Sequence, residues 1–339
     1  MKTEKTKLIA EIGNTHEGSL GIALSFVDMA ASTGVDIVKF QMHIPEYEST
    51  LDEPFRNKVF LQDSTRFGYW KRVSFSIDEW IKIKEHCESK AIEFLCTPFS
   101  LEAAKLLWEN RLVKRWKMGS GEITNIQLLD YVLSTGQDVL VSTGLSTQGE
   151  LEKLVKFVDL NHDIGSLVLM HCVSQYPTPL ADTSLNLINQ YRDQFKTRVG
   201  FSDHSGDLST SVFALTLPIS YLEVHLKPHN LFFGPDISSS LSYEQLEFLV
   251  KFKNDMTILR NSNLTRNELF EKSAKIAKIF RKGLYWSRSI SPGEIVLEED
   301  INLRKPEVSI SAFDLHEIIG KTLTSQVEAD TPVDLRHFR

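Results

Sequence analysis

Residues 198–226 read RVGFSDHSGDLSTSVFALTLPISYLEVHL. The stretch begins with an apolar run over Arg198–His204, continues with apolar residues at helical spacing over Ser209–Leu217, and ends with a second apolar run over Tyr221–Leu226. A strand, a helix and a strand in succession predict two parallel strands joined by a crossover helix. This unit decides the fold because it repeats along the chain.

Similar units occupy the first three quarters of the sequence. Their strands are expected at Leu8–Gly13, Val35–Met42, Glu93–Phe99, Arg115–Gly121, Asp138–Gly144, Leu167–Val173, Arg198–His204 and Tyr221–Leu226. Helices are expected between them at Ala23–Ala31, Ile77–Ser89, Leu101–Asn110, Ile126–Ser134, Thr147–Val158, Ser184–Phe195 and Ser209–Leu217. Eight strand–helix units over about 250 residues predict a closed (β/α)8 TIM barrel of the α/β class, with a doubly wound open sheet as the alternative.

Two segments depart from this repeat. The interval between the second and third strands holds about 30 extra residues, Pro45–Ser74, which predict a loop excursion of the kind that covers an active site. After the eighth unit, Arg266–Phe280 has the pattern of an amphipathic helix, and short turn-rich strands follow it. The expected domains are a barrel over residues 1–262, a linker helix over 263–282 and a small β-rich domain over 283–339.

The composition excludes several classes of function. The 339 residues carry a formal net charge of -7, which argues against a nucleic-acid binder and against a polybasic membrane surface. Three cysteines cannot build a disulfide framework, and they fit a reducing compartment. No apolar run has the length of a signal peptide or a membrane span, so a cytoplasmic protein is expected.

The predicted strands end in polar side chains instead of ordinary turn formers. In chain order these side chains are Glu11, Lys39, Gln41, Thr97, Lys117, Ser120, Glu122, Ser142, Thr143, Ser174, Tyr176, Asp203, His204, Glu223 and His225. The carboxyl ends of all eight strands of a barrel meet at one face, where barrel enzymes bind their substrates. The pattern therefore predicts an active site at that face.

His204 and His225 end the seventh and eighth strands, which are neighbours in a barrel. Adjacent strands lie about 4.8 Å apart, so the two imidazoles could share a divalent metal ion, with Asp203 and Glu223 orienting the rings. Two histidines with oxygen donors favour Mn²⁺ or Mg²⁺ over a closed zinc site. The alternative is a pair of ordinary polar histidines, since their separation in sequence is not a local metal signature.

Lys39 and Lys117 end the second and fourth strands. A lysine at a barrel mouth costs solvation energy unless it meets an anion, so these two could bind a phosphate and a carboxylate. In the alternative interpretation each lysine pairs with a carboxylate such as Glu11 or Glu122. The two interpretations are compatible, because the carboxylates can hold the lysines until a substrate arrives.

Several motifs together resemble the sialic acid (N-acetylneuraminate) synthase family. In family order they are Ile9-Ala10-Glu11-Ile12-Gly13, His16-Glu17-Gly18, Val38-Lys39-Phe40-Gln41, Cys96-Thr97-Pro98-Phe99, Lys117-Met118-Gly119-Ser120-Gly121-Glu122, Ser142-Thr143-Gly144, Tyr176-Pro177-Thr178-Pro179, Ser202-Asp203-His204 and Gly234-Pro235-Asp236. The segment from Lys282 to Pro332 is similar to the antifreeze-like (β-clip) domain of that family. Each motif alone is weak, but together they cover residues 8–236.

The resemblance implies a carbon–carbon bond-forming transferase. In this reaction phosphoenolpyruvate condenses with an N-acylated hexosamine, such as N-acetylmannosamine or a diacetamido-trideoxy hexose, and a nine-carbon 2-keto sugar acid and phosphate leave. The resemblance also implies Mn²⁺, with Mg²⁺ or Co²⁺ as alternatives, on His204 and His225. It further implies a homodimer in which the antifreeze-like domain caps the partner's barrel.

The resemblance also assigns roles to residues. The expected catalytic set is Glu11, Glu122, His204 and His225. Phosphoenolpyruvate is expected to contact Lys39, Thr97, Lys117, Ser120, Ser142 and Ser202. The sugar is expected to contact Gln41, Ser174, Tyr176, Asp236, Arg304 and Lys305.

Several positions depart from the family pattern. Thr15 and Ser174 stand where the family usually has asparagine, and strand eight has Glu223-Val224-His225-Leu226 instead of Glu-Lys-His-Phe. Lys305 replaces an arginine that grips the sugar N-acyl group, and lysine cannot reproduce a planar guanidinium. Because the sugar-facing residues vary while the catalytic ones do not, we expect a different sugar. The alternatives are a synthase that takes a phosphorylated sugar and a non-catalytic glycan-binding paralogue.

Overall fold

The computed structural model describes residues 5–56, 62–308 and 310–338. The chain divides into two compact units, Met1–Arg260 and Asn261–Arg339. Within the described ranges, no helix combines the length and the apolar character that a membrane crossing requires.

Eight parallel strands form the sheet of the first unit. They are β1 (Lys7–Gly13), β2 (Ile37–Met42), β3 (Glu93–Pro98), β4 (Trp116–Met118), β5 (Val139–Ser142), β6 (Leu167–His171), β7 (Arg198–Asp203) and β8 (Tyr221–Leu226). Their order is β3-β2-β1-β8-β7-β6-β5-β4, and β3 also packs against β4, so the sheet curves into a nearly closed barrel. A two-residue strand, β9 (Ser240–Leu241), pairs with β8. The predicted (β/α)8 barrel is confirmed.

The helices expected from apolar spacing are present, with bounds shifted by a few residues. In this unit they are α1 (Leu20–Thr33), α2 (Pro45–Glu48), α3 (Arg66–Val73), α4 (Ile77–Ser89), α5 (Leu101–Glu109), α6 (Ile126–Ser134), α7 (Gln148–Asn161), α8 (Leu187–Phe195), α9 (Leu208–Thr216) and α10 (Tyr243–Asn261). Helix α10 was not predicted, because apolar residues such as Phe248 and Ile258 stay exposed and blur the single stripe of an amphipathic helix.

The excursion Pro45–Ser74 is more ordered than a loop, because it contains α2 and α3. The hydroxyl of Thr65 accepts from the backbone N–H of Gly68 and caps α3. Tyr69, Trp70 and Val73 of α3 form a small apolar cluster with Phe55. Residues 57–61 of the excursion lie outside the described part of the chain.

Two apolar layers form the core of the barrel, and the polar strand ends lie beyond them at one face. The larger layer lies between the strands and the helices, and a smaller cluster that includes Ile9, Ile37 and Leu95 fills the lumen. Alternate residues of a strand point to the same side, so Glu11 lies on the lumen side, one layer above Ile9. In the strand register Glu11 is beside Lys39 on β2 and His225 on β8.

The second unit is a helix followed by a small β-rich fold, as predicted. Helix α11 (Arg266–Phe280) begins with a capping box between Thr265 and Glu268. Strands β10 (Gly283–Trp286) and β11 (Ile301–Arg304) pair antiparallel around a core that includes Trp286. Residues 323–327 do not form a continuous strand, since within this stretch only Leu323 and Val327 take part in isolated bridges.

Candidate active site

A cavity of about 550 Å³ lies at the carboxyl ends of the barrel strands. Most of the residues predicted from the sequence line it. They are Glu11, Lys39, Gln41, Thr97, Lys117, Ser120, Glu122, Ser142, Ser174, Tyr176, His204, His225 and Asp236, and Glu223 lies among them. The structure therefore brings together strand ends that are far apart in the sequence.

One predicted substrate contact of the barrel does not line this cavity. Ser202 is buried behind the cavity wall, where its hydroxyl donates to Oε1 of Glu223 at 3.0 Å. Arg304 and Lys305 belong to the second unit. There Arg304 forms an ion pair with Asp330, and Nζ of Lys305 lies 5.1 Å from the centroid of a phenylalanine ring.

Two lysines and two carboxylates form a buried ionic network at the centre of the cavity. Nζ of Lys39 lies 2.9 Å from Oε2 of Glu11 and 3.6 Å from Oε1 of Glu223. Nζ of Lys117 donates to Oε1 of Glu223 at 3.0 Å. Lys39 also donates to the hydroxyl of Thr97 at 3.2 Å. The carboxylate partners are Glu11 and Glu223, whereas Glu122 accepts from an asparagine amide instead.

The pKa shifts in this network follow from burial and mutual attraction. Burial alone would lower the pKa of Lys39, but the carboxylates of Glu11 and Glu223 outweigh it and raise that pKa. Burial lowers the pKa of Lys117, against the attraction of Glu223. Although its burial opposes the shift, the two lysines hold the pKa of Glu223 well below its ordinary value. The cluster is thus two cations balanced by two anions, away from water.

His204 and His225 face each other beside this network, with ring centroids 5.5 Å apart. Nδ1 of His204 lies 2.8 Å from the carbonyl oxygen of Val173, which only accepts, so Nδ1 carries the proton. Nε2 of His204 therefore keeps its lone pair, and it accepts from the hydroxyl of Tyr176 at 3.0 Å. Burial, with His225 nearby, lowers the pKa of His204 to about 3 and keeps the ring neutral.

This pair fits part of a metal site. A neutral imidazole with an available Nε2 is the form that binds a divalent cation. Within the described ranges, no group of three or more His, Cys, Asp or Glu residues is arranged to hold a metal ion. A metal at this position would therefore take two nitrogen ligands from the chain, and its other ligands would be substrate oxygens and water.

The expectation that Asp203 and Glu223 orient the histidine rings is wrong. Asp203 accepts from the backbone N–H of Ser205 and from the hydroxyl of Ser211, away from the cavity. Glu223 is committed to the lysines. Successive residues of a strand point to opposite sides, so Asp203 cannot lie on the same side as His204. The ring of His204 is instead oriented by a backbone carbonyl.

Residues of the excursion form the outer wall of the cavity, and sequence reasoning missed them. These residues are Glu48, Glu53, Phe55, Arg56, Arg66, Tyr69 and Trp70, with His43 just before them. The guanidinium of Arg56 lies 4.3 Å above the ring of Tyr176 and pairs with Asp236 at 2.5 Å. The length of the excursion predicted a cover, but nothing in its pattern identified which side chains face inward.

The first loop also differs from expectation. Asn14 lines the cavity, whereas Thr15, the position that departs from the family pattern, does not. His16 is fully buried and stacks on Phe75 with centroids 4.5 Å apart. Glu17 pairs with Arg72 of α3 at 2.9 Å. The loop therefore attaches the excursion to β1. Among the described residues of this loop, Asn14 is the one that lines the cavity.

The chain is thus a (β/α)8 barrel with a buried lysine–carboxylate network and a histidine pair at its strand ends, and a small β-rich unit follows it in the sequence. The NeuB family model matches residues 26–262, and the SAF domain model matches residues 281–339. The chain belongs to the NeuB family. The predicted resemblance is confirmed.

Named relatives share this architecture. N,N'-diacetyllegionaminic acid synthase of Campylobacter jejuni is 30% identical over 335 residues, which cover 96% of this chain and 98% of the relative. Pseudaminic acid synthase of another Campylobacter jejuni strain is 27% identical, with 99% and 97% covered. The crystal structure of an N-acetylneuraminic acid synthetase from Leptospira borgpetersenii matches with a TM-score of 0.69 and 26% identity, covering 81% of this chain and 92% of that one.

Proposed function

We propose that this protein condenses phosphoenolpyruvate with an N-acylated hexosamine to give a nine-carbon 2-keto sugar acid and phosphate. The observation that carries the proposal is the pair of buried lysines, Lys39 and Lys117, held at the cavity by exchangeable carboxylate partners. The relatives, which are named as synthases of legionaminic and pseudaminic acids, support the same reaction class.

The lysine network suits the anionic ends of phosphoenolpyruvate. Both ammonium groups are almost fully buried, so a phosphate or carboxylate that reaches them exchanges water for charge-assisted hydrogen bonds. Hydroxyls of Thr97, Ser120 and Ser142 stand beside them at the cavity. An arriving anion would take over contacts that Glu11 and Glu223 make in the absence of substrate.

The reaction forms one C–C bond and one C–O bond and breaks one C–O bond. The aldehyde oxygen takes up a proton as it becomes a hydroxyl, and the water loses both of its protons as C2 becomes a keto group. C3 of the enol attacks the aldehyde carbon of the open-chain sugar, water adds at C2, and the phosphate leaves by cleavage of its C–O bond. In this proposal Glu11 and Glu122 would accept or return protons, and burial raises the pKa of Glu122 against the hydrogen bond from Asn125. A divalent metal held by His204 and His225 would polarise the aldehyde oxygen as a Lewis acid.

The outer wall favours an uncharged sugar over a phosphorylated one. Its two guanidiniums are already neutralised, because Arg56 pairs with Asp236 and Arg66 with Glu53 at 3.1 Å. To reach either cation a second phosphate would have to displace Asp236 or Glu53, and Glu48 adds a further carboxylate to this wall. Aromatic side chains, including Trp70 and Tyr176, supply apolar surface that suits acetamido and deoxy groups. We therefore place a diacetamido-trideoxy hexose ahead of N-acetylmannosamine.

A phosphate-release assay tests the proposal. The protein is incubated with phosphoenolpyruvate, Mn²⁺ and a panel that contains N-acetylmannosamine, its 6-phosphate and a diacetamido-trideoxy hexose. We expect sugar-dependent release with an unphosphorylated member and none from a Lys117→Met variant. If the folded protein releases no phosphate with any sugar, the synthase proposal is wrong and a glycan-binding role gains support.

A further inference from the structure

His43 directly follows β2 and lies at the junction between the barrel and the excursion. Its ring is stacked between Trp70 and Phe99, with centroid distances of 3.8 and 4.3 Å and interplanar angles of 11° and 15°. The hydroxyl of Ser74 donates to its backbone carbonyl at 2.9 Å. Because both faces of the imidazole are covered, its polar contacts are confined to the two nitrogens at the ring edge.

Hydrogen-bond chemistry assigns a role to each nitrogen. Nδ1 lies 2.7 Å from Oε1 of Glu48, and a carboxylate oxygen accepts, so Nδ1 donates to it. Glu48 is itself held by the backbone N–H of Ile44, which donates to its other oxygen at 3.1 Å. Nε2 of His43 lies 3.2 Å from Nδ2 of Asn14 and 3.3 Å from Oε1 of Gln41, so this one nitrogen contacts both carboxamides.

The hydrogen bonds that begin at Glu11 determine how the carboxamides of Gln41 and Asn14 are oriented. Nε2 of Gln41 donates to Oε1 of Glu11 at 2.6 Å, because the oxygens of that carboxylate, which also pairs with Lys39, accept. Oε1 of Gln41 consequently faces Asn14, whose Nδ2 donates to it at 3.3 Å. Asn14 therefore presents its amide nitrogen to both neighbours, and Nε2 of His43 accepts from it.

We propose that His43, with Glu48 behind it, is a positioning residue that fixes the orientation of the Asn14 and Gln41 carboxamides on the sugar side of the cavity. This inference rests on the proposed function. A carboxamide has nearly the same shape in its two orientations, and only its hydrogen-bond partners decide between them. Glu11 holds Gln41 from one side, and His43 holds Asn14 from the other.

The fixed orientation has a consequence for the substrate. With one N–H of Gln41 committed to Glu11, the other is available in the cavity as a donor to a sugar oxygen. If His43 lacked an acceptor, Asn14 could turn its oxygen toward Oε1 of Gln41, and two acceptors would face each other. Opposed or unpaired polar groups in a buried site weaken binding of the matching ligand roughly tenfold or more. Phosphoenolpyruvate, at the lysines, would be much less affected.

Three variants separate this role from simple packing. His43→Phe keeps a flat ring between Trp70 and Phe99 but has no nitrogen, whereas His43→Gln gives up the ring and keeps an amide oxygen that can accept from Asn14. Asn14→Asp keeps the size of the side chain and replaces a double donor with an acceptor. Asn161→Asp, exposed at the end of α7, is the matched control for that change.

The measurement is steady-state phosphate release, with the KM for phosphoenolpyruvate and the KM for the accepted panel sugar determined separately. We expect His43→Phe and Asn14→Asp to raise the sugar KM at least tenfold, with less than a threefold change in the phosphoenolpyruvate KM, and His43→Gln to retain more sugar affinity than His43→Phe. The inference is overturned if His43→Phe binds sugar like the wild type, or if both KM values rise together. Wild-type activity is measured first in the same assay. An inactive wild type would contradict the proposed function, whereas an active wild type whose variants do not behave as expected would contradict only this inference.

Discussion

Replacement of Glu223 by glutamine should destabilise the barrel and reveal the strength of the lysine network. Glu223 is almost fully buried, and its Oε1 accepts from Lys117 at 3.0 Å and from Ser202 at 3.0 Å. Glutamine has the same size and can still accept with its oxygen. Two buried lysines would then share the single carboxylate of Glu11.

Removal of one charge from a buried ion pair costs about 3–5 kcal/mol, because the remaining charge is left without compensation. Since glutamine retains part of the hydrogen bonding, we expect a value near the lower end, about 3 kcal/mol. For a domain of this size that corresponds to a fall in Tm of roughly 6–10 °C. The matched control is Glu88→Gln on α4, whose exposed pair with Lys84 should contribute less than about 1 kcal/mol.

The assay is thermal unfolding followed by circular dichroism, with and without phosphoenolpyruvate, between pH 3.5 and 8. The folded-state pKa of Glu223 lies below its ordinary value of 4.5, so its stabilising charge is present above pH 4.5 and is lost as the pH falls toward that lowered value. The difference between wild type and variant should therefore be largest near neutral pH and shrink in acid. Phosphoenolpyruvate should stabilise the variant more than the wild type, because a bound anion replaces the missing charge. A variant that melts within 2 °C of wild type at pH 7 would refute this reasoning.

Three further changes test other parts of the site. Lys117→Met should weaken phosphoenolpyruvate binding by roughly a hundredfold, measured by calorimetry, since a charge-assisted contact is lost; an unchanged Kd would exclude Lys117 from the anion site. Gly144→Ala should lower the free energy of unfolding by about 1–3 kcal/mol in urea, because its Cβ would lie 2.5 Å from Oγ of Ser174 and 2.9 Å from Sγ of Cys172; a wild-type midpoint would contradict that. His204→Ala should weaken Mn²⁺ binding at least tenfold by titration calorimetry; equal affinity would remove His204 from the metal proposal.

The barrel could be predicted because its signals are local. The strand Glu93–Pro98 and the helix Ile77–Ser89 can each be recognised from about a dozen residues. Apolar spacing indicates both elements, and a cap at Ser76 marks the start of the helix. Topology then places the strand ends together without further information, which is how Lys39 and Glu223 could be assigned to one face. Helix α10 was not predicted because its apolar residues are distributed around the helix and do not form a single stripe.

The outer half of the site could not be predicted, because its contacts join short segments that carry no pattern. Helix α2 has only four residues, and the stacking of Trp70 on His43 joins positions 27 residues apart across a segment with no repeat. The error at Asp203 was avoidable in principle. A period of two puts His204 on one side of β7 and Asp203 on the other, and that rule alone separates His204, which lines the cavity, from its neighbour.

The division of the cavity into strand ends and excursion also explains how one scaffold could serve several sugars. The lysine network rests on β1, β2, β4 and β8, whose register is fixed by the lumen packing beneath it, so those charges cannot shift without disturbing the barrel core. Arg56 and Trp70 lie on the excursion, outside the strands and their lumen packing, in a kind of segment where substitution is tolerated better than in a barrel strand. Changes of sugar should therefore map to the excursion and to Ser174, while the phosphoenolpyruvate contacts stay with the strands. Exchanging residues 45–74 for the equivalent segment of the pseudaminic acid synthase should alter the sugar KM and leave the phosphoenolpyruvate KM within about threefold; the opposite pattern in phosphate-release kinetics would place specificity in the barrel itself.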